Sequence, residues 1–151
     1  MRQRIRLNTL LSPKAGQGLT EFALMLPVLM LILLGALDLG RVYNAYVAIA
    51  NASREGARYG MTNPSKTDSI KTFTQQEASA SGINIQTSDI SINCFRYSDG
   101  SSVVCDSASN GDKIEVKAKF DFQFMTLYLF RLPAVPISNS TIMAILGGAV
   151  S

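Results

Sequence analysis

The residues best placed to take part in chemistry are Gly16, Gln17 and Glu21, in the string Lys14-Ala15-Gly16-Gln17-Gly18-Leu19-Thr20-Glu21. The chemistry they suggest is cleavage of the chain by another protein, followed by charge pairing. Glu21 stands immediately before sixteen uncharged, mostly apolar residues, Phe22 to Leu37. A carboxylate taken into hydrocarbon costs roughly 2.5 to 3.5 kcal/mol on insertion scales, so it persists where it finds a partner. Cutting after Gly16 would create an ammonium at Gln17, with Glu21 fifth in the shortened chain. In a bundle of such helices, one copy's Glu21 neutralises the next copy's terminus when both lie at similar depth.

Chemistry performed by the chain itself has little support. There is no histidine, which removes the commonest general base and the commonest nitrogen ligand for metals. No glycine-rich phosphate loop, nucleophile elbow or metal-finger cysteine spacing is present. The sequence therefore reads as a non-enzyme with no cofactor. Asp99, Asp106, Asn110 and Asp112 form an oxygen-rich stretch, but their spacing fits no EF-hand loop and they are ordinary turn residues, so no metal is expected.

The elements that must position Glu21 follow from charge and hydropathy. Arg2, Arg4, Arg6 and Lys14 precede the apolar run with no acid before Glu21. The positive-inside bias then places the N-terminus in the cytoplasm and everything beyond Asp38 outside. These four cations also explain the basic pI: the formal charge is +3, and 3 minus 4 leaves −1 after Gly16, so nucleic acid is not an expected partner. A run of sixteen lies between a signal-peptide core and a comfortable span, so length alone does not decide.

A continuous helix is expected from Phe22 to about Tyr59, ended by Gly60 and Asn63-Pro64. Its 38 residues would extend about 57 Å, more than a bilayer core, so its second half must project as a stalk. Pro27 inside it should bend or loosen it. Beyond Asp38, the small residues Ala48, Ala52, Gly56 and Gly60 recur every four positions, a stripe that admits close packing either by the protein's own sheet or by another subunit. Asp38 with Arg41, and Glu55 with Arg58, are spaced for intrahelical pairs. A second helix is expected over Lys66 to Ser81, capped by Ser65 with Asp68 and ended by Gly82.

Strands follow. Asp89 to Tyr97 carries Ile90, Ile92 and Cys94 on one face. Lys113 to Phe124 alternates without a miss, with Ile114, Val116, Ala118, Phe120, Phe122 and Phe124 on the buried side. A last strand is expected within Ser138 to Leu146. The apolar connection Met125 to Ile137 is read as cover for the end of the core, with a partner- or membrane-facing patch as the alternative. Asp99-Gly100 signals a two-residue turn that would set Tyr97 opposite Ser102 and Cys94 opposite Cys105, within bridging distance for a disulfide. A bulge would instead leave two buried free thiols. Asn110-Gly111 reads as a second hairpin turn into the long strand.

Taken together, Gly16, Glu21-Phe22-Ala23-Leu24, Leu26-Pro27, Asp38-x-Gly40-Arg41 and Asn51-Ala52-x-Arg54-Glu55-Gly56-Ala57-Arg58-Tyr59 resemble the TadE-like minor pilins of tight adherence (Flp pilus) systems. The resemblance implies a class III signal cleaved between Gly16 and Gln17 by a membrane prepilin peptidase, with Glu21 and Phe22 registering subunits. It implies a pilin-like α+β fold: residues 1–16 as leader, 17–60 as long helix with its anchor at about 22–37, and 61–151 as an extracytoplasmic domain. Its partners would be other pilin subunits, the peptidase, the inner-membrane assembly machinery and the membrane. The expected location is single-pass in the inner membrane, and from there a cell-surface pilus. Two other readings remain: a membrane-anchored adhesin that never polymerises, and a soluble domain released by ordinary signal peptidase at Ala48-Ile49-Ala50, a site far past Leu37.

Overall fold

The computed structural model describes residues 13–129, 131 and 133–146. The cations Arg2, Arg4 and Arg6 lie outside the described residues. Helix α1 (Pro13–Gly60) runs 48 residues without interruption, straight through Pro27. It begins four residues before the expected boundary at Gln17, so the Gly16–Gln17 bond lies within its second turn. Its far end stops where expected. Gly60 is followed by a turn in which Lys66 N–H donates to Asn63 O at 3.1 Å, with Pro64 at the position that favours its fixed φ.

That turn also explains why Ser65 does not cap the second helix. Helix α2 (Thr67–Ala80) has Lys66 at its N-cap and no side-chain cap bond, because Ser65 is spent inside the turn. Asp68 in the first turn still complements the helix dipole. At the other end Gly82 takes φ +81°. Gly82 N–H donates to Ser79 O (2.9 Å) and Ile83 N–H to Ala78 O (3.0 Å), the paired bonds of a Schellman motif. Ile70, Thr74 and Ala78 form the buried stripe of α2. It packs antiparallel to α1, with Tyr59 stacked on Phe73 at 5.3 Å.

The sheet has four antiparallel strands: β1 (Ile90–Phe95), β2 (Ser102–Val103), β3 (Lys113–Phe122) and β4 (Val135–Ala144), in the order β2-β1-β3-β4. The alternation along β3 holds as far as the strand runs: Ile114, Val116, Ala118 and Phe122 are buried and Phe120 is half-buried, but the strand ends at Phe122, two residues short of the expected Phe124, which is half-buried beyond it. Across the face that meets the helices, Cys94, Ile114 and Met143 are aligned, as are Ile92, Val116 and Thr141, then Ile90, Ala118 and Asn139. β4 starts three residues earlier than expected and takes in Pro136, which an edge strand tolerates because its outer N–H positions need no sheet partner.

Two turn assignments need correction. Cys94 lies opposite Val103 and Phe95 opposite Ser102, so the first hairpin is two residues wider than a tight Asp99-Gly100 turn would give. Asp99 accepts bonds from Ser101 N–H (3.0 Å) and Oγ–H (2.8 Å), and Tyr97 N–H is drawn away to Asp112 Oδ1 (2.9 Å). The Cys94–Cys105 disulfide forms nonetheless, with Cα atoms 5.2 Å apart, because the chain turns at Cys105–Ser107 and brings Cys105 back over Cys94. Asn110-Gly111 is a tight turn, with Gly111 at φ +95°, but it does not join neighbouring strands. β2 and β3 lie on opposite sides of β1.

The core sits between α1, α2 and the sheet, around Ile49, Ala52, Ala57, Ile70, Ile114, Val116 and Ile145. The fold is α+β, with the long apolar helix, a shorter second helix and a small antiparallel sheet packed on it. Within the Met125–Ile137 connection a third helix, α3 (Met125–Leu129), precedes β4.

Candidate functional site

The functional candidate is α1 itself, whose two halves have opposite surroundings. From Phe22 to Leu33 the large apolar side chains are 40–78% exposed. This stretch is apolar on every side, and none of the described residues of the domain shields it. The helix is long and apolar enough to cross a membrane, and its exposure sets it apart from the core helix of a soluble domain. From Asp38 onward the domain closes on one face: Asp38, Ala45, Ala48, Ile49, Ala52, Ser53, Gly56, Ala57 and Gly60 are buried.

Gly16, Gln17, Glu21 and Phe22 lie on the exposed first turns of α1. Gln17 Nε2–H donates to Glu21 Oε1 at 3.3 Å, since positions four apart share a helix face. Among the described residues, Glu21 forms no ion pair. The stripe Ala48, Ala52, Gly56 and Gly60 lies in the other half of α1 and turns inward. A Cβ at Gly56 would run into Thr74 and come within 3.2 Å of Val116, while one at Gly60 would lie 2.7 Å from Ile114 Cδ1. Of the two uses expected for the stripe, the structure shows the intramolecular one. Gly35 and Gly40, by contrast, have nothing within 4 Å of an added Cβ.

In the sequence Asp38 stands out as half of a helical ion pair and in the string Asp38-x-Gly40-Arg41. Arg41 Nη1–H does donate to Asp38 Oδ1 at 3.1 Å, but the carboxylate, 2% exposed, also ties two distant segments together. Met125 N–H donates to Oδ1 (3.0 Å), and Thr126 N–H (2.9 Å) and Oγ–H (2.8 Å) donate to Oδ2. Asp38 thus satisfies free N–H groups at the start of α3 from 87 residues away. Arg41 also lies over the Phe122 ring at 5.1 Å, and Phe122 meets Phe124 edge-on at 4.9 Å. The signal that was available was a carboxylate at the very end of an apolar run, where an unpartnered acid is costly.

At the opposite end of the sheet, Asp112 is nearly buried. Its carboxylate accepts Ser109 N–H (2.8 Å) and Tyr97 N–H (2.9 Å). Those two bonds hold its pKa below the ordinary aspartate value, and Arg96 adds to the effect. The carboxylates of Asp99 and Asp112 are thus both engaged in turn hydrogen bonds. Among the described residues, no group of three or more His, Cys, Asp or Glu gathers to hold a metal ion.

An exposed apolar helix rooted in an α+β head fits a single-pass membrane anchor carrying a small domain. Residues 16–58, nearly the whole of α1, match the family model of TadE-like protein, and the match supports a protein associated with a tight adherence pilus. No curated protein and no solved structure matches the chain.

Proposed function

We propose that this chain is a minor pilin or pseudopilin of a tight adherence pilus, a structural subunit rather than a catalyst. In this reading the leader ends at Gly16, prepilin peptidase frees the amine of Gln17, and Phe22 to Leu37 stores the subunit in the inner membrane with its domain outside. Lateral packing of α1 against other pilin helices then carries it into, or under, the fibre for adhesion or secretion. The observation that carries the proposal is the TadE-like match beginning at Gly16 on a helix whose large apolar side chains from Phe22 to Leu33 are exposed among the described residues. The exposed stripe continues past the membrane through Leu39, Tyr43 and Tyr46, spaced as one helix face.

Glu21→Gln tests this reading, because it keeps the side chain's size and removes its charge. The substitution should leave membrane insertion intact and reduce incorporation into sheared pilus material. Unchanged incorporation would refute the registering role of Glu21.

A further inference from the structure

We infer that α3 is an interfacial foot, lying in the headgroup layer of the same membrane that α1 crosses, with Met125 and Tyr128 against lipid. The inference rests on the reading of Phe22 to Leu37 as the membrane span. That run rises about 24 Å, short of a hydrocarbon core of about 30 Å. A short span draws the residues flanking it toward the interface. The next residue outward is Asp38, and Asp38 holds the first turn of α3 through three hydrogen bonds to Met125 and Thr126. The level of α3 is therefore set by the end of the apolar run. It cannot lift away without stripping a buried carboxylate of its donors, which is expensive.

At that level the exposed surface is of the kind an interface favours. Met125 is 53% and Tyr128 74% exposed, and Arg131, also exposed, follows two residues beyond α3. Tyrosine rings settle at headgroup depth, and arginine reaches out from it. On α1, Tyr43 is 71% exposed little more than one turn above Asp38, which continues the same belt. Of the acids at this end of the domain, Asp38 is turned inward and paired with Arg41, and Asp121, on the exposed side of β3, is paired with Lys119 at 3.5 Å. Lipid is favoured over a neighbouring subunit because α3 is tied through Asp38 to the end of a run that, in this reading, the membrane covers.

The chain contains no tryptophan, so one introduced indole reports alone. Full-length Tyr128→Trp, Leu29→Trp and Tyr97→Trp proteins would be placed in phosphatidylcholine/phosphatidylglycerol vesicles containing lipids brominated near the headgroup or deep in the chains. The Tyr128→Trp indole should be blue-shifted and lose most emission to the shallow bromines. The Leu29→Trp indole should lose most to the deep ones, and the Tyr97→Trp indole, at the far end of the sheet, should keep its emission. Slow amide exchange at Thr126 would verify that α3 stays docked in the variant. If Leu29→Trp is quenched and Tyr128→Trp is not, the foot is refuted and the span stands; if neither is quenched, both fall. A blue shift at Tyr128→Trp that fades on dilution with lipid would assign the surface to another copy of the chain and overturn the inference. Equal quenching at Tyr128→Trp and Tyr97→Trp would overturn it as well, since the whole domain would then lie on the membrane.

Discussion

Two carboxylates bracket the apolar run, and their contrast explains much of the chain. Among the described residues Glu21 meets the Gln17 amide alone, whereas Asp38 is saturated by its own fold. Asp38→Asn keeps the shape but replaces one acceptor oxygen with a donor, so donors at the start of α3 lose their partner. Amide exchange at Met125 and Thr126 should accelerate while that of α2 stays unchanged; unaltered exchange would show that α3 is held by something else. Asp112 gives a pH dependence. Its folded pKa is depressed, so its contribution is complete above the unfolded value of about 3.9 and is lost as pH falls through the folded one. Denaturant midpoints in detergent should fall on acidification below about pH 4, and Asp112→Asn should flatten that limb. A midpoint as steep in the variant as in the parent would contradict this. Glu21 was legible in the sequence because an acid beside an apolar run is anomalous on sight. The contacts of Asp38 were not, because its partners are backbone N–H groups, which every residue carries.

Among the elements, the long helix, the alternation along β3 and the Gly82 stop were legible because each is a local rule: period, capping residue, positive φ. What escaped was set by competition between neighbours. The first hairpin widened because the side chains of Asp99 and Asp112 captured backbone donors that a tighter ladder would have used. Ser65 failed as a cap because Pro64 had already committed it to a turn. The small-residue stripe left two uses open, and only the packed structure distinguishes them. In an exposed helix Gly→Ala stabilises by about 1 kcal/mol. At Gly56 the sign should reverse, since the new methyl meets Thr74, whose hydroxyl is bonded to Ile70 O at 2.8 Å. Gly56→Ala is expected to destabilise by about 1–3 kcal/mol in denaturant titrations, and Gly40→Ala, with open space around it, should not. A stable Gly56→Ala protein would mean that α2 yields more readily than this packing implies. The Cys94–Cys105 link closes a short loop at the far edge of the sheet, a constraint worth about 3 kcal/mol in the chain-entropy model.

As a whole the molecule is a rod with a head on its C-terminal half. About 27 Å of helix, residues 16–33, is exposed throughout, and α1 from Asp38 onward is the spine on which α2 and the sheet are built. This division makes the head dependent on α1 beyond Asp38. Removing residues up to Asn51 would take away Asp38, Ala45, Ala48 and Ile49, four buried residues of that spine, which weighs against release at Ala48-Ile49-Ala50. The central claim is that the chain is processed at Gly16 and joins a pilus through the exposed half of α1. Its most direct test is intact mass with N-terminal sequencing of the protein from native membranes and from sheared surface material. Both fractions should start at Gln17; a start at Met1, with the protein confined to membranes, would rule out processing and assembly.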